Sequence, residues 1–363
     1  MNTVDHIVQK TDLNLSDIVF LLGLQGPEKT RLFEHSARIK QEYVGNKVYF
    51  RGLIEFSNIC SKNCLYCGIR HDNAAVNRYH LSGNEILNAA RFAFENNYGS
   101  LVLQSGEVDT ANFVRQVERI LGKISKITGD KMRITLSCGE QEKDTYRRWY
   151  DSGANRYLLR IESSNPELYR KLHPQDGLHS YQRRLDCLYS LQTIGYQVGT
   201  GVMIGLPFQT LDDLAGDILF MKKFDIDMVG MGPYLEHEHT PLYAFRDQLL
   251  PREERMQLTF KMVSVLRILM KDINIAATTA LQAIDKLGRE KAVKIGANVI
   301  MPNITPSKHR NDYLLYQDKP CTDENAEDCK TCLEARIALA DNEIAYGEWG
   351  DSAHYRRKGT RDK

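Results

Sequence analysis

Three cysteines, Cys60, Cys64 and Cys67, stand in CxxxCxxC spacing within the segment EFSNICSKNCLYCGIR. Thiolates held this close in one loop are soft metal ligands. Three of them can hold three irons of a 4Fe–4S cube and leave the fourth iron without a protein ligand. An open iron can chelate a small molecule, much as a catalytic zinc keeps one position free. The competing reading is a structural zinc, which takes four closed ligands. No fourth Cys or His falls at zinc-finger spacing, although His71 lies close by. A second triplet, Cys321, Cys329 and Cys332, sits in the acidic, turn-rich stretch DKPCTDENAEDCKTC, where Asp323, Glu324, Glu327 and Asp328 keep the thiols near solvent. The remaining cysteines, Cys138 and Cys187, stand alone and read as small buried apolar residues.

The elements that position these residues follow from the hydrophobic pattern. Residues 1–44 read as short amphipathic helices, with Leu22, Leu24, Leu32 and Phe33 among their apolar positions. Eight apolar or β-branched runs follow, at 48–57, 100–106, 133–137, 156–163, 197–205, 226–232, 274–279 and 296–302. Helical stretches such as 83–97, 111–128, 209–224 and 252–270 separate them. Eight βα units close most naturally into an α/β fold of the (β/α)8 TIM-barrel type. The expected organisation is an N-terminal helical segment at 1–44, the barrel at 45–318 and a cysteine-rich extension at 319–363. The last residues, RRKGTRDK, read as solvated and disordered.

Chemistry in such a barrel sits at the C-terminal ends of the strands, and the reactive residues fall there. The cysteine loop ends the first run. Gln104, Ser105 and Glu107 end the second, Thr135 and Ser137 lie on the third, and Thr278 and Thr279 end the seventh. On the fourth run Arg156, Arg160 and Glu162 share one parity, so one face of the strand carries all three. Charges facing a closed core need a ligand or one another. Gly199, Gly201 and Gly205 punctuate the fifth run and mark either a close ligand or a tight barrel corner. Arginines with hydroxyls at one barrel mouth suit a small anionic or zwitterionic molecule.

The cysteine spacing, with aromatic Tyr66 before the last cysteine and after a first barrel strand, resembles the signature of the radical S-adenosylmethionine superfamily. That resemblance implies a 4Fe–4S cluster on Cys60, Cys64 and Cys67. The open iron would bind the methionine end of S-adenosylmethionine, whose reductive cleavage yields a 5′-deoxyadenosyl radical. The segments LQSGE, TLSCGE, RYLLRIESSNP, MIGLPFQT, MVGMGPYLEHEHTPL and GANVIMPNITPSKHR are similar, from about 45 to 335, to the HydE family of FeFe-hydrogenase maturases. Carried over residue by residue, the resemblance puts Arg184 on the S-adenosylmethionine carboxylate and Glu162 beside its methionine or ribose portion. Met203, Ile204 and Gly205 then flank the adenine, and Tyr66, Gln104 and Ser137 complete the cofactor's surroundings. An anion-binding floor is implied for Thr135, Arg156, Arg160, Thr278 and Thr279. The substrate so implied is a small anionic iron–cysteine complex carrying carbon monoxide and cyanide. Cys321, Cys329 and Cys332 resemble the auxiliary site of some members and imply a second cluster, 2Fe–2S or 4Fe–4S, with zinc as the alternative. One departure stands out: the family pattern has a histidine between the arginine and glutamate of the fourth strand, where this chain has Ile161.

Composition narrows the field. A balance of 48 basic against 47 acidic residues disfavours nucleic acid or an acidic membrane as partner. No apolar run reaches the length of a bilayer span, and the first residues carry no export signal. A cytoplasmic location is therefore expected, and the resemblance implies a reductant such as flavodoxin or ferredoxin and the other hydrogenase maturases as partners. The alternatives are a radical mutase of the methylornithine synthase type and a non-catalytic iron–sulfur carrier or scaffold. Biotin synthase chemistry would need further cysteines inside the barrel, where only Cys138 ends a strand. A carrier would have no use for an arginine-lined cavity.

Overall fold

A computed structural model describes residues 3–323 and 326–361. Eight parallel strands form the barrel: β1 (Lys47–Ser57), β2 (Ser100–Ser105), β3 (Arg133–Ser137), β4 (Ala154–Leu158), β5 (Gln197–Thr200), β6 (Met228–Val229), β7 (Asn274–Ile275) and β8 (Val299–Ile300). They pair in sequence order, β8 lies against β1, and a parallel bridge between Ala276 and Val299 joins the seventh and eighth strands. The short pairing of Met203–Ile204 with Gly232–Pro233 extends the fifth and sixth strands at the mouth. The fifth run breaks at Gly201, where a Cβ would lie 1.9 Å from the Gly230 carbonyl oxygen. Backbone approach between neighbouring strands, a tight barrel corner, accounts for that glycine.

The helices begin and end where local chemistry directs. Ser82 and Thr210 cap Gly83–Glu95 and Leu211–Phe224 through reciprocal bonds with Glu85 and Asp213. Ala111–Thr128 ends at Gly129, whose φ of 57° closes the last turn. Outside the barrel, Leu15–Gly23 and Gly26–Tyr43 pack on Arg252–Leu269. Among the described residues no helix is long and apolar enough to cross a membrane.

Register sorts the barrel interior into levels. Thr135 aligns with Arg156 and Gln197, whereas Glu55 aligns with Gln104 and Ser137 two residues nearer the mouth. Arg156 and Arg160 are thus separated by four residues of extended chain, about 13 Å. Parity puts both inside, but at opposite ends.

The chain beyond the barrel closes the lower end. Glu343–Ile344 pairs with the start of β1, and residues 349–352 cross beneath the strands. Arg156, wholly buried, donates to the Trp349 carbonyl at 2.5 Å and to Asp351 at 2.6 Å. Arg51 and Asn274 both donate to the Gly350 carbonyl, and Arg133 lies 3.9 Å over the Trp349 ring. The sequence leaves Glu162 as the one carboxylate for two interior arginines. The structure adds Asp351, so each guanidinium has its own partner.

Two tail expectations change. DENAEDCKTC is not all turn: Ala326–Leu339 is helical and carries Cys329 and Cys332 one turn apart. Of the basic end, Ala353–Arg361 is a helix, with His354 and Lys358 received by Asp225, Asp227 and Asp272 at the barrel bottom, and residues 362–363 lie outside the described residues.

Burial pushes the Asp351 carboxyl up, but Arg156, Arg133 and Arg51 outweigh it and hold the group below the usual carboxylate range. A depressed folded value means its stabilisation is present above about pH 4 and is lost as pH falls through the folded value. Asp351→Ala strands a buried guanidinium and is expected to cost about 3–5 kcal/mol. Denaturant midpoints at pH 7 check the loss, and the gap from wild type should narrow below pH 4.

Candidate active site

The cysteine loop leaves β1 at Ser57 and is held as a rigid arch. Arg78 donates to the Asn58, Ile69, Arg70, His71 and Asn73 carbonyls and so ties the two ends of the loop together. Ser61 N–H bonds to the Glu107 carbonyl at 2.8 Å, and Glu107 N–H donates to Cys60 Sγ at 3.3 Å. Gly106 permits this approach: a Cβ there would meet the Ile59 carbonyl oxygen at 2.3 Å and Cys60 Cβ at 2.7 Å. His71 points to solvent and pairs with Asp72, away from the cysteines.

Cys60, Cys64 and Cys67 all line a cavity of about 340 Å³ at the C-terminal ends of the strands. That size lies in the roughly 300–1,000 Å³ range of small-molecule sites. Burial raises all three thiols, and the presence of the other sulfurs raises Cys64 and Cys67 further, with Cys64 pushed up to about 12. Three thiolates together here need a cation cluster, and the donor set fits three irons of a cube.

Beside the loop lies a charge network. Arg184, on helix Tyr181–Ile194, donates to Glu140 at 2.5 Å and to the Arg160 carbonyl at 2.7 Å. Lys62 lies 2.9 Å from Glu140 and 3.1 Å from Glu107. Burial pushes Glu140 up, but Arg184 and Lys62 overcome it and keep the carboxyl below its usual range. Arg160 chelates both oxygens of Glu162 at 3.0 and 3.1 Å and donates to the Val202 carbonyl. Glu162 itself has φ 63°, and its N–H is bonded to the Gly201 carbonyl. This strained backbone lets Arg160 and Glu162, two residues apart, meet at the mouth.

Other expected residues separate into those that line the cavity and those that do not. Tyr66, Gln104, Ser137, Met203, Thr278 and Thr279 line it. Ile204 is packed in the core, and Gly205, at φ 81°, abuts Arg255. Thr135 borders a much smaller space below, near Arg51, and Arg156 is bound to the tail. Ile161 is fully buried in the apolar core, with its N–H on Thr200 Oγ1, so the departure there changes packing rather than the cavity wall. Cys321 lines the cavity, Cys332 is exposed, and the Cys329 side chain lies outside the described residues.

Sequence reasoning missed Lys62, Glu140, Glu55, Lys319 and Arg78. Glu55 faces inward from β1, 2.5 Å from Lys319 and 2.9 Å from Asn303. Its parity with Leu53 in LIEFS carried that signal; the others depend on contacts distant in the chain.

Residues 54–221 match the Radical SAM superfamily. With three cysteines at the mouth of a parallel barrel, the class is clear: this is a radical S-adenosylmethionine enzyme, which works with a 4Fe–4S cluster and S-adenosylmethionine. The FeFe-hydrogenase maturase subunit HydE of Thermotoga maritima is 44% identical over 319 residues, 88% of each chain. The chain belongs to the HydE family. A 3-methylornithine synthase of Methanosarcina barkeri is 28% identical over 86% of this chain and 85% of that one. The solved methylornithine synthase shares the fold, with a TM-score of 0.79 at 24% identity over 95% of this chain and 97% of that one.

Gly106→Ala is expected to push the Cys60 loop off the end of β2 and to lower the iron bound per chain after anaerobic reconstitution. Gly122→Ala, whose Cβ would meet nothing within 4 Å, should leave iron content unchanged.

Proposed function

We propose that this chain matures FeFe-hydrogenase by acting on a small anionic iron–cysteine complex that carries carbon monoxide and cyanide. The observation that carries the reading is one cavity lined by three thiols, by Arg184 and by the Arg160–Glu162 pair with Thr278 and Thr279. The relationship to the Thermotoga maritima maturase supports the reaction.

In this reading Cys60, Cys64 and Cys67 hold three irons and leave the fourth open. When bound, the cluster and S-adenosylmethionine supply a 5′-deoxyadenosyl radical by one-electron reduction. The protein supplies orientation. Glu140 fixes Arg184 so that its guanidinium can take the methionine carboxylate by charge-assisted bonds. Glu162 faces the methionine or ribose portion, Met203 gives adenine an apolar wall, and Tyr66, Gln104 and Ser137 complete the surroundings. Arg160 and the threonines hold the substrate anion, with Thr135 and Arg156 forming the barrel floor beneath. Cys321, Cys329 and Cys332 would carry the second cluster. A flavodoxin or ferredoxin would deliver the electron in the cytoplasm, where the other maturases work.

Replacing Cys60, Cys64 or Cys67 by Ala should abolish 5′-deoxyadenosine formation. Arg184→Ala should weaken S-adenosylmethionine binding by about 1.5–3 kcal/mol, roughly ten- to 150-fold in affinity by calorimetry. An unchanged dissociation constant would remove Arg184 from the site. Complementation of a host lacking its own maturase of this type tests the reaction itself. A wild-type chain that cleaves S-adenosylmethionine yet restores no hydrogenase activity would leave the class standing and overturn the maturation reading.

A further inference from the structure

Four of the cations that line the cavity are matched by carboxylates. Lys62 meets Glu107 and Glu140, Arg160 meets Glu162, Arg184 meets Glu140, and Lys319 meets Glu55. Arg289 also lines the cavity and is only 3% exposed. Among the described residues it has no carboxylate partner and no hydrogen-bond acceptor, and its Nε is wholly buried without one. A guanidinium carries five donors, so leaving it buried without an acceptor is costly for the protein alone.

Local packing holds Arg289 in place. It is the second residue of helix Gly288–Ile295. Gly288 has no room for a side chain, since a Cβ would lie 2.3 Å from the Leu281 carbonyl oxygen. The start of this helix is therefore pressed against Thr279–Ile284, the helix that begins just after Thr278. Tyr316 shares the same wall: burial and Glu55 push its phenol up, and Arg289 and Arg160 oppose them. The helix N-terminus adds its own partial positive charge at this point.

We propose that Arg289 is the residue that binds the substrate's carboxylate, in a subsite formed with Tyr316 and the Thr278–Thr279 turn. The identity of the substrate rests on the maturation reading; the subsite rests on the cavity alone. The planar fork of one guanidinium matches a carboxylate in geometry and charge. The segment GREKAV gave no hint of this, because an arginine near the start of a polar helix reads as a surface residue.

The test is calorimetry on the reconstituted full-length chain with two probes, L-cysteine and its methyl ester, which differ at the carboxylate. Wild type should prefer the free acid by about tenfold or more. Arg289→Gln should abolish that preference, and Arg289→Lys, which keeps charge but not the fork, should retain part of it. Equal binding of both probes by wild type, or an undiminished preference in Arg289→Gln, overturns the proposal. If the Gln variant does not fold, as judged by circular dichroism, the Lys variant decides: an undiminished preference again overturns it. Failure of wild type in the complementation assay, together with an Arg289-dependent preference, would sink the maturation reading and leave the subsite.

Discussion

Charge neutralisation inside a closed barrel is the constraint on which this structure depends. The strands bring ionisable side chains into a space where an isolated charge is strongly penalised. The answer comes from the loops and from the chain after the barrel. At the mouth, Glu140 serves both Lys62 and Arg184, and Lys319 reaches back to Glu55. At the base, Asp351 serves Arg156. The core alone does not explain why the chain continues past β8: the extension supplies charges that the interior requires.

This division also separates tasks along the barrel axis. The upper level, with the thiols and the Arg160–Glu162 pair, is open to a ligand. The lower level is sealed by backbone carbonyls and one carboxylate. The same type of residue, an inward-facing arginine, is bound to the tail at one height, as Arg156 on β4, and lines the cavity at another, as Arg160 just past that strand. Height along the strand decides which.

Much of this was legible in the sequence because it follows from short-range rules. Cysteine spacing and alternating hydrophobicity locate the loop, the eight strands and the four long helices at 83–97, 111–128, 209–224 and 252–270, although the fourth and fifth runs extend past their strands. Even parity correctly placed Arg156, Arg160 and Glu162 inside. Parity has no information about level, however, and level depends on register between strands, which set Arg156 beside Thr135 and Gln197. Lys62, Glu140 and Arg289 look like surface charges in their own segments. Their roles arise from partners, or from a lack of partners, far away in the chain. The tail was hardest for the same reason. Its polar composition suggested a solvated end, but carboxylates at 225, 227 and 272 give its basic residues a fixed place.

The closure of the base has a consequence for how the molecule comes into being. Arg51 and its partner carbonyl at Gly350 are 299 residues apart, and Asp351 follows every barrel strand in the order of synthesis. While the ribosome is still making the helices of the second half, the first four strands already carry Arg51 and Arg156 with no counter-charge. Contacts of such long separation are slow to form. The contacts that close the base therefore cannot form before residues 349–352 have been made. Residues 349–352 are thus the last piece of the base in the order of synthesis.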